Sequence, residues 1–295
     1  MEYLNNSSNS THWKFTLEYQ VALVSMYSIV FVGGIVSMAL MINVLKSNIL
    51  SVTTMAVLNL IAVHLLFLLT VPFRIYFYAT NSWKLSRGLC RVVSGMIHAH
   101  MYIAFIFYVI ILVIRYLNFF KRRDRVEFHR KLHALLASVA VWAVVLIGVL
   151  PPFAIKYGDS EDKMRGRMCF NFGGELEKGA VASLNYVIIA VVMLVTLPLA
   201  CCQIWIFSQV LRKYKTSFSQ QQEFWAQIKS LSFVLVMLLC FVPYHLFRIY
   251  YVSHHTSLQN ENEVFLAVTA FSCLDMLTFM GRNAYGIRCE GCCLT

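Results

Sequence analysis

Residues 89–120 read LCRVVSGMIHAHMYIAFIFYVIILVIRYLNFF. Only Arg91 near the start and Arg115 near the end carry a full charge. Cys90 and Arg115 stand 25 positions apart, which is about 37 Å at a helical rise of ~1.5 Å per residue. A stretch this long and apolar is a membrane-crossing helix, because a span needs roughly 20 such residues. Periodicity cannot separate strand from helix in a continuous apolar run, but length can. Barrel strands need only about 9–11 residues and alternate in polarity. This run does neither.

Six further runs of the same kind surround it. The seven segments are 19–45, 52–78, 89–120, 131–153, 180–211, 228–252 and 264–280. Lipid offers the backbone no hydrogen-bond partner, so each is expected to be a helix. The composition agrees. Of 295 residues, 59% are hydrophobic and 13% charged, with a mean hydropathy of +0.66. A soluble domain averages about 45–50% apolar and about 25% charged residues. One aqueous core cannot hide this much apolar surface, which argues against a soluble enzyme or a nucleic-acid-binding module. The fold class expected is an all-α membrane protein, a seven-transmembrane-helix bundle. No internal repeat or linker divides it. Its parts are an outer segment 1–18, a helical domain 19–281 and a short tail 282–295.

Two signals orient the bundle with its N-terminus outside. Asn5, Asn6 and Asn9 each begin an Asn-x-Ser/Thr sequon, and the chain has no other. Glycosylation needs a lumenal, later extracellular, segment. Residues 1–11 lack the basic start and short apolar core of a cleavable signal, so the first segment is expected to direct its own insertion. The net charge of +11 is the second signal. In this orientation the cytoplasmic parts hold 13 basic and four acidic residues, and the outer parts nine of each. Arg74, Arg115, Arg248 and Asp275 account for the remaining charge, within the segments. The excess obeys the positive-inside rule. Four dispersed charges are too few for a transporter or channel pathway.

Cysteine use follows the same topology. Cys90 and Cys169 both face the oxidising side and could bridge. Cys201, Cys202, Cys240 and Cys273 fall inside segments and read as packing residues. Cys289, Cys292 and Cys293 follow the last segment on the cytosolic side, where palmitoylation is expected. No metal-ligand cluster, phosphate loop or nucleophile elbow is visible. No metal, cofactor or enzymatic activity is expected.

In order along the chain stand Leu58-Asn59-Leu60, Thr70-Val71-Pro72, Trp83 seven residues before Cys90, and Arg115-Tyr116. Trp142, Pro151-Pro152, Pro198, Cys240-Phe241-Val242-Pro243-Tyr244-His245 and Ser272-Cys273-Leu274-Asp275 follow. In this order they resemble the rhodopsin-like (class A) G-protein-coupled receptors, over nearly the whole chain. The resemblance implies a cell-membrane receptor that passes an extracellular signal to a heterotrimeric G protein. Its neighbourhood includes receptors for nucleotides and acidic lipids. It implies coupling and activation roles for Arg115, Tyr116, Phe241, Pro243, Asp275 and the residue at His64.

The departures from that family are specific. His64 stands where most members carry an Asp that helps bind sodium. Gly34 and Ala104 stand at two other positions of that site. Imidazole does not suit a hard cation, so no sodium site is expected. A buried carboxylate needs a partner, and a His64–Asp275 hydrogen bond or ion pair is expected instead. Ile114 replaces the acidic neighbour of Arg115. Ile206 and Phe279 replace tyrosines, and Met276 replaces a proline, which predicts a less kinked last helix. An alternative reading therefore stands beside G-protein coupling. It is a receptor-fold protein with little independent coupling, constitutively active or acting as a heteromeric or binding partner.

On the ligand side, Ile97 occupies the position where amine receptors carry an Asp. Arg74 and Arg248 lie near the outer ends. His245 shares a helical face with Arg248, as His98 does with Tyr102. Arg matches carboxylate and phosphate bidentately. An anionic ligand, nucleotide-like or an acidic lipid, is expected at Arg74, His98, Tyr102, His245 and Arg248. The competing expectation for either Arg is snorkelling to headgroups, or pairing with Glu261, Glu263 or an acidic loop residue. Residues 121–125, Lys-Arg-Arg-Asp-Arg, are expected to meet a transducer and anionic membrane lipids.

Overall fold

The computed structural model describes residues 15–45, 52–120, 142, 169–170, 179–214 and 222–280. Every regular element among them is helical. The first segment is α1 (Leu17–Leu45). The second is split into α2 (Val52–Leu68) and α3 (Val71–Thr80). The third is α4 (Arg87–Phe120) and the fifth α5 (Gly179–Tyr214). The sixth comprises α6 (Gln222–Val236), a π turn (Met237–Phe241) and α7 (Val242–Ser253). The seventh comprises α8 (Gln259–Ala270) and a 3₁₀ stretch (Phe271–Met280). Of the fourth segment only Trp142 is described; its indole donates to Asn59 Oδ1 at 2.8 Å and so ties that segment to α2.

Five of these stretches are long and apolar enough to cross a membrane. Burial ranks them. The apolar window of α4 is 61% buried, and that of α5 only 28%. α4 is therefore the central post and α5 an outer one. Val93, Ile97, Met101, Ala104, Tyr108, Ile111 and Leu112 are buried along α4, the spacing of one broad helical face. Val191, Leu194, Leu197 and Ile204 of α5 are exposed. So wide an apolar surface is unstable in water and at home against acyl chains.

The breaks in the long helices have local causes. Thr70 folds its hydroxyl onto the Phe67 carbonyl at 2.6 Å, and its N–H bonds the same oxygen at 2.8 Å. Pro72, at the start of α3, brings no N–H of its own, so the chain re-enters a helix there at little cost. Ahead of Pro243, Val242 N–H reaches back five residues to the Met237 carbonyl. Widening the turn relieves the crowding that proline imposes on the preceding turn. The last segment, which has no proline, does not run as one α-helix but tightens to 3₁₀ from Phe271. Thr269 and Ser272 donate their hydroxyls to the carbonyls three residues back, at 2.6 and 2.8 Å, and such bonds compete with the α pattern. The segment also begins earlier than its apolar run. Glu261 and Glu263, expected in a loop, lie within α8. Acidic groups are favoured at a helix start.

α1 lies against α3, α8 and the 3₁₀ stretch; α2 lies against α4, and α5 against α6 and α7. Two adjacent glycines set the α1 contacts. A Cβ on Gly33 would stand 2.6 Å from Leu274 Cδ2, and one on Gly34 would stand 2.9 Å from Leu68 Cδ1. Glycine thus lets α1 meet α2 and the last segment at once, as small residues do in membrane bundles. Both obstructing groups are the ends of flexible leucines. Gly34→Ala is expected to be tolerated, whereas Gly34→Phe is expected to cost about 1–3 kcal/mol of overpacking. A lowered melting temperature of the detergent-purified protein reads that difference.

Candidate functional site

The polar side chains inside the bundle fall into three layers. At the outer end, Cys90 at the start of α4 is disulfide-bonded to Cys169, with Cα atoms 5.8 Å apart. The bridge places Phe170 against Phe77, Tyr78 and Trp83. Phe170 has φ of 68°, a conformation that bulky residues seldom adopt, and it is buried. Its ring lies 4.4 Å from the Arg74 guanidinium.

Arg74 is among the most deeply buried side chains, 1% exposed. It donates to the Val93 carbonyl at 3.1 Å and to the hydroxyls of Tyr27 and Tyr78 at 3.4 and 3.5 Å. Its counter-charge is Glu263, 3.7 Å away, which also accepts from the Tyr78 hydroxyl. Of the two readings open for Arg74, this geometry favours the internal pair over a ligand anchor. Helix α3 is thereby fastened to α8 across α1.

Arg248 on α7 is half-buried and differently engaged. Its Nε donates to Asn185 Oδ1 at 3.1 Å, and its Nη1 donates to Asn262 Oδ1 at 3.0 Å. The Tyr251 ring lies 5.0 Å from its guanidinium carbon. The fold thus gathers α5, α7 and α8 around this cation. His245, one turn before it, is buried; its Nδ1 lies 2.8 Å from the Phe241 carbonyl. Tyr102 meets the His245 ring edge to face at 6.1 Å. His98, half-buried, has Nδ1 3.2 Å from the Ser94 carbonyl. Arg74 and Arg248 do not share a partner in these contacts. They hold neighbouring residues of α8, Glu263 and Asn262.

In the middle layer, Asp275 is 2% exposed. Its Oδ2 accepts from the Tyr108 hydroxyl at 2.7 Å. Its Oδ1 lies 3.3 Å from His64 Nε2, close enough for ionic attraction but not aligned as a hydrogen bond. His64 turns its other nitrogen, Nδ1, to His100 Nε2 at 2.9 Å. Cys273 Sγ lies 3.6 and 3.4 Å from those same two nitrogens. Sequence spacing revealed no metal-ligand cluster, and this triad corrects that reading. Its members are distant in sequence, and only the packing of α2, α4 and the 3₁₀ stretch joins them. One signal was available: His100, Ala104 and Tyr108 recur every four residues, which puts them on one face of α4. The sodium ion that such a bundle implies does not fit here. Gly34 and Ala104 offer no side-chain oxygen, and imidazole and thiol are poor ligands for a hard cation.

In the inner layer, Arg115 donates to the Ala226 carbonyl at 2.7 Å and to Ser230 Oγ at 2.8 Å. Tyr116 donates to the Leu199 carbonyl at 2.9 Å. Gln203 on α5 donates to both oxygens of Gln227 on α6, at 3.2 and 3.1 Å. Neutral oxygens thus join α4, α5 and α6 where an acidic neighbour is replaced by Ile114. Between the layers, Phe241 of the π turn packs on Tyr108 with ring centroids 6.0 Å apart. Pro243 follows at the start of α7. Asn5, Asn6, Asn9, residues 121–125, Cys289, Cys292 and Cys293 lie outside the described residues.

A membrane bundle with a disulfide-anchored outer end, a buried carboxylate on its last helix and an Arg-Tyr pair at its inner mouth has the layout of a transmembrane receptor. Residues 35–280 match the family described as "7 transmembrane receptor (rhodopsin family)", and the chain belongs to it. It is 45% identical over 274 residues to "Probable G-protein coupled receptor 141" of Homo sapiens, covering 90% of each chain. "Probable G-protein coupled receptor 34" of Mus musculus is 26% identical over 289 residues, 91% of this chain and 76% of that one. "Lysophosphatidic acid receptor 6" of Gallus gallus is 28% identical over 254 residues, 84% and 80% of the two chains. The protein is therefore a multi-pass receptor of the cell membrane with the seven-helix rhodopsin fold, and its relatives are receptors rather than enzymes.

Removing one partner of a buried ion pair leaves an uncompensated charge. Glu263→Ala is expected to destabilise the receptor by roughly 3–5 kcal/mol. The double replacement Arg74→Met with Glu263→Leu is expected to recover most of that loss. Melting of the purified variants checks both.

Proposed function

We propose that the protein is a G-protein-coupled receptor for an anionic amphiphile, an acidic lipid of the lysophospholipid class. The observation that carries this reading is the setting of Arg248. It is a half-buried guanidinium near the outer end, framed by the amide oxygens of Asn185 and Asn262 and by the Tyr251 ring. A cation placed inside a bundle is rarely neutral decoration, and its fork matches a phosphate. His98, Tyr102 and His245 are assigned to the same outer polar region, and Arg74 to its internal pair with Glu263 rather than to the ligand. A relative named for lysophosphatidic acid supports the same chemistry.

Signal transfer would run from Arg248 down α7 to the π turn. From there the contact of Phe241 with Tyr108 leads to the polar centre. At the inner mouth the bonds from Arg115 to α6 act as the resting latch, and a heterotrimeric G protein is the partner admitted when α6 swings free. The sequons at Asn5, Asn6 and Asn9 would be glycosylated on the outer face. Palmitoylation of Cys289, Cys292 and Cys293 would hold the tail to the inner leaflet.

The test is nucleotide exchange on a panel of G proteins, in membranes carrying the receptor and challenged with lysophosphatidic acid or an uncharged monoacylglycerol of the same chain. Stimulation by the acid alone, lost in Arg248→Ala and partly kept in Arg248→Lys, is expected. Equal responses of Arg248→Ala and the parent would overturn the assignment. Ser230→Ala removes one charge-assisted bond of the latch, a loss of about 1.5–3 kcal/mol. It is expected to raise basal exchange roughly tenfold or more.

A further inference from the structure

His64, His100 and Cys273 present three potential ligand atoms that all lie within 4.8 Å of one another, and all three residues are buried. Zinc bound tetrahedrally by nitrogen at ~2.0–2.1 Å and thiolate at ~2.3 Å needs N···S separations near 3.6 Å and N···N separations near 3.4 Å. Cys273 Sγ already stands 3.6 Å from His64 Nδ1 and 3.4 Å from His100 Nε2. The two nitrogens are 2.9 Å apart, a distance set by a shared proton. Exchanging that proton for a metal opens the gap by only about half an ångström.

The surroundings have the features of a metal site and not only of a hydrogen-bonded pair. His64 faces the triad with Nδ1 and sets Nε2 3.3 Å from the Asp275 carboxylate. The carboxylate thus stands beside the far nitrogen, the side from which metal-bound imidazoles are oriented, close enough for attraction although not aligned as a hydrogen bond. Asp275 is in turn held by the Tyr108 hydroxyl at 2.7 Å. Phe67 stacks on the His100 ring at 4.3 Å and fixes its plane. His100 Nδ1 is buried with no hydrogen-bond partner among the described residues, so nothing there binds the ring in one tautomer. Charge also balances. A Cys273 thiolate and the Asp275 carboxylate together neutralise a divalent ion, which a low-dielectric interior requires.

We propose that His64 Nδ1, His100 Nε2 and Cys273 Sγ form a zinc site that clamps α2, α4 and the 3₁₀ stretch together. On binding, both imidazoles coordinate as neutral ligands. His64 keeps its remaining proton on Nε2 toward Asp275, and His100 keeps its own on Nδ1. The thiol proton of Cys273 leaves to solvent, so zinc enters and one proton is released. Imidazole and thiolate select zinc over sodium, calcium or magnesium. Three protein ligands are the number zinc takes when its fourth position is left to a small ligand such as water. The site does not depend on what the receptor binds outside, because Arg248 contributes nothing to it.

The test uses the full-length chain, purified in detergent through an epitope tag without histidine tags or chelating resins. Elemental analysis is expected to find about one zinc per chain, held by the three protein ligands with the fourth position left to a small ligand. Cys273→Ser and His100→Gln are each expected to retain at least roughly tenfold less. The double variant His254→Ala with His255→Ala, which removes the surface histidine pair, is expected to keep the full complement. Protein from cells grown with cobalt in place of zinc is expected to show tetrahedral visible bands and a near-ultraviolet thiolate-to-cobalt band. Should the core variants fail to fold, this wild-type spectrum decides alone. A spectrum without the thiolate band overturns the proposal. So do parent protein without zinc, copper in its place, or zinc retained by Cys273→Ser and lost with the surface pair.

Discussion

A single carboxylate organises the middle of this receptor. Asp275 sits almost without solvent between the Tyr108 hydroxyl of α4 and the His64 ring of α2. An ionised group at that depth is tolerated only when the protein supplies the donors that water would have given. Three elements must therefore meet at one point, and their meeting dictates much else. Gly33 and Gly34 let α1 close against α2 and the last segment. The last segment tightens to 3₁₀ as it reaches the carboxylate, its hydroxyls satisfied by its own backbone.

The same rule governs the other layers with different chemistry. Outside, Arg74 and Glu263 neutralise each other behind Phe170 and the disulfide loop. Inside, Arg115 is satisfied by a carbonyl and a hydroxyl of α6. The outer pair joins opposite charges under cover, where losing one partner strands the other. The inner contact joins a cation to neutral groups, each bond worth about 1.5–3 kcal/mol, which is easier to exchange. A rigid outer clamp and an exchangeable inner one suit the release of α6 proposed above. Between the two ends, the π turn meets Tyr108 through direct ring contact.

Much of this was legible in the chain. Seven apolar runs, an inner excess of basic residues and clustered sequons follow from the physics of lipid and membrane insertion. The order of family markers placed Cys90, Arg115, Phe241 and Asp275 in their layers. The His64–Asp275 juxtaposition could be anticipated because a buried carboxylate admits few partners. Other features were out of reach. Which cation Glu263 would neutralise was undetermined while both Arg74 and Arg248 were candidates. Its choice depends on the helix starting at Gln259 and not five residues later. Cys273 read as an ordinary packing residue, and nothing in the sequence joins it to His64 and His100.

The sequence by itself determined that this chain crosses a membrane as helices, which end faces out, and which four charges fall within its apolar segments. Those are consequences of transfer free energy and are read residue by residue. The tertiary structure alone decided who neutralises whom. Arg74 goes to Glu263, Arg248 to the amides of Asn185 and Asn262, Arg115 to Ser230, and His64 to Asp275, His100 and Cys273 together. Such pairings depend on kinks at Thr70 and Pro243 and on the rewinding at Phe271. Each of these turns every later side chain about the helix axis, and no local reading of sequence carries that rotation forward.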